Sequence, residues 1–123
     1  MSYFLPMQAQ KNNIFAKIIR GEIPCKKVLE TDNLIAIHDV NPQAPVHVLI
    51  IPKLDILNLC DTAPGMELLL GSLLLAADQV AKILAVKESG YRVVINTGKD
   101  GGQTVDHLHV HLLAGRAFSW PPG

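Results

Sequence analysis

The sequence predicts an α+β domain: a five-stranded antiparallel sheet with one short and one long helix gathered to cover it. Short apolar runs bounded by turn residues recur along the chain, as half-buried and buried strands do. Two stretches, about 14–20 and 64–87, carry apolar residues at helical spacing. A third signal is strict alternation in His107-Leu-His109-Val-His111-Leu-Leu113, which has the period of a strand. Antiparallel strands with helices segregated onto them form the α+β architecture. At 123 residues and 49% hydrophobic, the chain suits one domain with a real core.

The elements follow in order. Residues 1–11 read as a flexible N-terminal arm, and 12–123 as a single domain without repeats. Asn12 or Asn13 caps a helix from Ile14 to Arg20, which Gly21 stops. Strands at Lys27–Glu30 and Leu34–Asp39 are joined by Thr31-Asp32-Asn33. Pro42 and Pro45 keep Asn41–Pro45 out of regular structure, and Val46–Ile51 is the next strand, ended by Pro52. A long helix spans Pro64 to Lys87, with Leu68, Leu69, Leu75, Ala76, Val80, Ile83 and Leu84 on its buried side. Tyr91–Asn96 is a strand, Thr97–Thr104 a Gly-rich loop, and Val105–Leu113 the histidine strand.

Composition excludes several classes of function. Lys+Arg and Asp+Glu balance at 11 each, without the clustered positive charge that polymeric nucleic acid requires. Cys25 and Cys60 stand alone, with no CxxC and no disulfide framework, which suits a reducing compartment. The N-terminus lacks the basic region of a signal peptide and is broken by Pro6. Glu67, Asp78, Gln79 and Lys82 interrupt the apolar stretch 66–86, so it is no membrane span. These features predict a soluble cytoplasmic protein.

Three of the five histidines lie in the alternating run, which places their imidazoles on one strand face and Leu108, Val110 and Leu112 on the other. One reading is a polar strand face. A second is a metal site, since imidazole is a common ligand. Residues two apart lie ~6.6 Å apart, so the outer pair spans ~13 Å. Zinc–nitrogen bonds are only ~2.1 Å, so three ligands from one straight strand do not converge. A third reading, which the geometry fits best, is a reactive imidazole flanked by two others that bind an anion and move protons.

His47 lies within an apolar strand, as either a core histidine or an orienting partner of the triad. His38 alone reads as a surface residue, and Asp39 as a turn residue before Pro42. The run from Asn96 to Thr104 reads as a hairpin loop; beside the histidines it becomes one wall of an anion site. Glycines let backbone N–H groups approach a phosphate, and Gln103 and Thr104 add donors.

His107–Leu113 resembles the signature of the histidine triad superfamily, His-apolar-His-apolar-His followed by two apolar residues. The resemblance extends over Ile-Phe-Ala-Lys-Ile-Ile-Arg-Gly-Glu-Ile-Pro (14–24), His-Asp-Val-Asn-Pro-Gln-Ala-Pro-Val-His (38–47), Ile-Pro-Lys (51–53) and Gly-Gly-Gln-Thr (101–104). The ending Ser-Trp-Pro-Pro-Gly is similar to the nucleotide-binding branch of that superfamily, Hint. The resemblance implies a homodimer whose two sheets join into a continuous ten-stranded one. It also implies cofactor-free hydrolysis of purine nucleoside 5′-phosphoramidates to a nucleoside monophosphate and an amine.

Residue by residue, the resemblance makes His109 the nucleophile that forms a nucleotidyl-histidine, and His111 a phosphate contact beside it. His107 and His47 become supporting histidines that set tautomer and proton traffic. It places Ile14, Phe15, Ile18, Ile37 and Val40 at the base pocket and Asp39 at the ribose hydroxyls, with His38 between them among the nucleotide-binding residues. Asn96, Gly102, Gln103 and Thr104 fall on the phosphate side, with Thr104 also able to serve the leaving amine. Trp120 is implied to reach the partner subunit's pocket.

The chain departs from the family pattern at several positions. Asn13 and Ala16 stand where metal-binding relatives carry a CxxC, and Asp55 stands where histidine is frequent, so no structural zinc is expected. Asp106 and Ala114 replace a common aromatic and a usual glycine. Two other functions fit the same residues: hydrolysis of dinucleoside polyphosphates or another nucleotidyl substrate, and a nucleotide-binding interaction protein with incidental turnover.

Overall fold

The computed structural model describes residues 13–123; the expected arm, 1–11, lies outside the described residues. Helix α1 (Ile14–Ile19) precedes strands β1 (Lys27–Glu30), β2 (Leu34–His38) and β3 (Val46–Pro52). A 3-10 turn (Leu59–Asp61), helix α2 (Glu67–Ile83) and strands β4 (Tyr91–Val94) and β5 (Val110–Ala114) follow. The five strands form one sheet in the order β1-β2-β3-β5-β4, with every neighbouring pair antiparallel. The α+β fold class and the strand count are as the sequence predicts.

Both sheet faces are covered, so β2 and β3 are buried on both sides and read as continuous apolar runs. The two-residue alternation sorts their side chains. Leu34, Ala36, Val48, Ile50, Val110, Leu112 and Ala114 join α2 in the larger core. Ile35, Ile37, Leu49 and Ile51 face Phe15 of α1 in the smaller one. His47 shares its β3 face with Leu49 and Ile51, and His111 lies opposite Leu49 in the ladder. The functional face is therefore the α1 side of the sheet.

Asn13 is the N-cap of α1: its Oδ1 accepts from Ala16 N at 2.8 Å. Its Nδ2 donates to the Asp106 carbonyl at 3.2 Å, tying the start of α1 to the segment carrying the histidines. At the far end of α2, Ala85 adopts φ 59°. Ala85 N bonds Lys82 O and Val86 N bonds Ala81 O, closing the last turn in a Schellman arrangement.

Two expectations are corrected. Helix α2 is shorter than 64–87 and buries Leu73, Ala76, Ala77, Val80 and Ala81. Leu68 and Leu75 are 89% and 75% exposed, and Ile83 is also exposed, whereas Leu69 and Leu84 pack at the core margin. The helix is apolar nearly all round, so periodicity did not single out a face; the alanines decide it, because they let the axis approach the sheet. The histidine strand is also shorter: only Val110–Ala114 joins the ladder. Residues 105–109 lie outside it, where His107 N bonds Val105 O and Leu108 N bonds Ile56 O. Smaller shifts trim the strand beginning at Tyr91 to Val94 and extend β3 to Pro52.

Candidate active site

The alternation of His107, His109 and His111 survives although two of them precede the regular strand. Leu108 and Val110 enter the α2-side core, which sends the intervening imidazoles to the α1 side. His109 and His111 ring centroids are 4.9 Å apart, and His47 lies 5.2 Å from His111. Phe15 of α1 meets His109 edge to face at 4.8 Å, walling the row from the other side. His47, His107 and His109 are all buried.

Hydrogen bonds assign the proton on each neutral ring. Gln43 N–H donates to His47 Nδ1 at 3.0 Å, so His47 carries its proton on Nε2. That proton is directed at His111 Nδ1, 2.9 Å away, with Asp39 Oδ2 also at 3.4 Å. His111 Nδ1 is thus an acceptor, and its proton is on Nε2. This Nε2–H is buried and has no partner among the described residues. His109 runs the other way: its Nδ1–H donates to the His107 carbonyl at 2.7 Å, leaving the Nε2 lone pair free. His107 itself donates from Nε2 to Pro52 O at 2.9 Å, anchoring the segment to β3. The outcome is one bare nitrogen beside one unused donor.

Burial holds all four rings neutral at pH 7. It lowers the pKa values of His47, His107 and His109, in His47 against the pull of Asp39 and in His109 against its bond to the His107 carbonyl. His111 is pushed to about 4 by burial and then by His109 and His47 beside it.

Among the described residues, Asp39, His47 and His111 are brought within 4.8 Å of one another, as metal ligands would be. Their geometry does not fit a metal. Zinc ligands at ~2.1 Å in a tetrahedron stand ~3.4 Å apart, whereas the two imidazole nitrogens are 2.9 Å apart across a proton. Vacating His47 Nε2 would move its proton to Nδ1, against the N–H of Gln43. The cluster is held together by one shared proton between the two imidazoles.

The histidines open onto a cavity of about 460 Å³ lined by Ile14, Phe15, Ile18, Ile37, His38, Asp39, Val40, His47, Thr104, His109 and His111, all expected from the sequence. Asn41, Gln43, Leu49 and Val105 also line it and were missed. Leu49 was readable, since it stands two residues from His47 on the same strand; the others act through backbone or loop position. A second, largely apolar cavity of about 800 Å³ shares the Ile14, Ile18, Ile37, His38, Asp39 and Val40 wall and continues past Ile23, Pro24 and Cys25.

Five expected residues do not line the histidine cavity. Gly102 and Gln103 line a separate hollow with Asn58 and Lys99. Gln103 has no donor to spare: Oε1 accepts from Asn58 Nδ2 and Gly98 N, and Nε2 donates to Leu57 O and Val105 O. It staples the Gly-rich loop rather than presenting a free amide. Asn96 is not a wall residue, and Trp120 stands 81% exposed in the tail. His107 is fully buried behind the cavity and acts through its carbonyl.

Comparison with known proteins agrees with this geometry. The family description "HIT domain" matches residues 20–118. An uncharacterized HIT-like protein of Synechococcus elongatus is 54% identical over 113 residues, covering 92% of this chain and 98% of that protein. A 14 kDa zinc-binding protein of Zea mays is 50% identical over 112 residues, covering 89% and 87%. The crystal structure of a HIT family hydrolase from Legionella pneumophila superposes with a TM-score of 0.89 at 46% identity, covering 91% of this chain and all of that one.

Proposed function

The chain belongs to the HIT domain family, and from that premise we propose that it hydrolyses purine nucleoside 5′-phosphoramidates through a nucleotidyl intermediate on His109. The observation that carries this reading is the opposed protonation of two neighbouring imidazoles. His109 offers an unprotonated Nε2 while His111 offers an unpartnered Nε2–H. The similarity to a HIT family hydrolase supports a hydrolytic reaction.

In the proposed reaction, His109 Nε2 forms a bond to the α-phosphorus as the phosphorus–nitrogen bond breaks. The departing nitrogen takes a proton from solvent and leaves as the amine. His109 keeps its Nδ1–H on the His107 carbonyl, so the nucleotidylated ring is a cation and a good leaving group. Water then attacks phosphorus and gives up a proton to solvent, replacing the one taken by the amine; the Nε2–phosphorus bond breaks, and the imidazole returns neutral. The His111 Nε2–H stabilises charge on a phosphoryl oxygen throughout. The apolar wall of Ile14, Ile18, Ile37 and Val40 suits a purine, and Asp39 at its margin suits ribose hydroxyls. Thr104 lines the same cavity, which supports a contact with the phosphate or the amine.

The zinc of the maize relative's name has no counterpart in this reading, because Asn13 and Ala16 cap and build α1 and the Asp39 cluster carries a shared proton.

A homodimer completes the proposal. Strand β4 is an open sheet edge, and α2 exposes Leu68, Leu74, Leu75 and Ile83. A second copy joined at that edge would make a ten-stranded sheet and bring a partner's tail, with its Trp120, to the cavity.

The decisive assay incubates the protein with an adenosine 5′-phosphoramidate and, separately, a diadenosine polyphosphate. The expected result is AMP and free amine from the first, with His109→Ala inactive yet still binding AMP. Turnover of the polyphosphate alone would reassign the substrate, and binding without turnover of either would reduce the protein to a nucleotide-binding partner. Near-normal activity of His109→Ala would remove it as nucleophile.

A further inference from the structure

The tautomer of His47, on which the His111 donor depends, is set at Nδ1 by one backbone group, Gln43 N–H, while Asp39 Oδ2, 3.4 Å from Nε2, favours the same form. Gln43 lies in the proline-rich loop between β2 and β3, with no ladder to hold it. What holds it is the C-terminal segment. Arg116 donates from Nε and Nη2 to the Gln43 carbonyl at 3.3 and 3.1 Å, and from Nη1 to the Ala117 carbonyl at 3.2 Å. Its guanidinium lies over the Phe118 ring at 4.3 Å, which fixes the plane of the fork. Just before it, Gly115 passes so close to Pro45 that a Cβ there would lie 2.8 Å from the proline Cβ, and its φ of +92° also favours glycine. The chain leaving β5 is thus pressed against this loop at two points.

We propose that Arg116 is a positioning residue for the histidine relay: by clamping the Gln43 carbonyl it aims the Gln43 N–H at His47 Nδ1 and so keeps the His111 Nε2–H available. Gln43 is gripped on both sides of its Cα, at N–H by His47 and at C=O by Arg116, so losing one grip frees the other. The order of action is Arg116, Gln43, His47, His111. A lysine keeps the charge but cannot supply two parallel donors or the same planar stack. Arg92 provides the contrast. It also lies over Phe118, at 5.2 Å, and bonds Ser119 O at 3.0 Å, but among the described residues it makes no hydrogen bond to the loop.

The catalytic consequence rests on the proposed function, whereas the tautomer does not. The experiment therefore measures both: long-range ¹H–¹⁵N spectra of histidine-labelled protein, and phosphoramidate kinetics, on wild type, Arg116→Ala, Arg116→Lys and Arg92→Ala. Wild type is expected to show His47 protonated at Nε2 alone. Arg116→Ala should mix the two tautomers and lower kcat by about tenfold, the scale of a slightly misplaced catalytic group, with KM little changed. Arg116→Lys should fall between, and Arg92→Ala should match wild type. A wild-type His47 spectrum in folded Arg116→Ala overturns the proposal, and so does an equal change in Arg92→Ala. If wild type turns over no phosphoramidate, the function fails while the His47 spectra still decide the clamp.

Discussion

The residue scale is where protons decide the chemistry. Four neutral imidazoles have three different bonding environments: His107 and His109 are tied to backbone carbonyls, His47 receives a backbone N–H, and His111 receives His47. Because burial lowers the pKa of His109, its lone pair persists below pH 6.5. The acid limb of kcat/KM should therefore fall at a pH below 6.5, measured with a substrate that does not titrate there; a limb at 7 or above would place the nucleophile elsewhere. Gln103 makes the complementary point. Its type and place pointed to a phosphate donor, yet its four bonds are internal. Gln103→Ala should cost on the order of 3 kcal/mol by leaving several loop groups unpaired, read by denaturant unfolding. Sequence could not show this, since a saturated amide and a free one have the same letter.

At the scale of elements, the strands were legible and the long helix was only partly so. A strand's period of two leaves no ambiguity about which residues of one strand share a face, so His107, His109 and His111 could be grouped before the fold was known, whereas placing His47 and Leu49 beside His111 required the pairing of β3 with β5. Helix α2 carries apolar residues on nearly every face, and its buried side was read around Leu75 instead of Leu73. Leu73→Ala should lower the unfolding free energy by about 2–5 kcal/mol, as expected for a buried leucine. Leu68→Glu with Leu75→Glu should preserve the circular dichroism spectrum and, if a second copy covers that face, yield monomers in sedimentation. The misreading has a single cause: a helix with two apolar faces carries no mark of which one meets its own sheet.

For the whole molecule, the buried neutral histidines link stability to pH. Each is lowered in the fold from an ordinary value of 6.5, and His111 to about 4. Between those limits the unfolded chain binds more protons, so their contribution is complete above pH 6.5 and declines as pH falls toward 4. The calorimetric Tm should thus be lower at pH 5 than at pH 7, and His111→Gln should shrink the difference. A Tm unchanged between the two would mean the rings are not held neutral by the fold. Deleting residues 120–123 tests the proposed tail: selectivity among leaving amines should change while Tm holds, because Trp120 is exposed in the single chain.

The sequence by itself determined the number and kind of elements, the shared face of the histidines, the apolar and acidic wall beside them and the family resemblance. The elements and the shared histidine face follow from periodicity and turn residues, which are properties of neighbours along the chain; the wall was implied by the family resemblance alone. Only the tertiary structure decided which nitrogen of each ring holds its proton, that Gln103 is fully engaged, and that Arg116 grips Gln43 from 73 residues away. Hydrogen-bond partners brought together by folding have no periodic signal, and a histidine's two nitrogens differ only in what surrounds them.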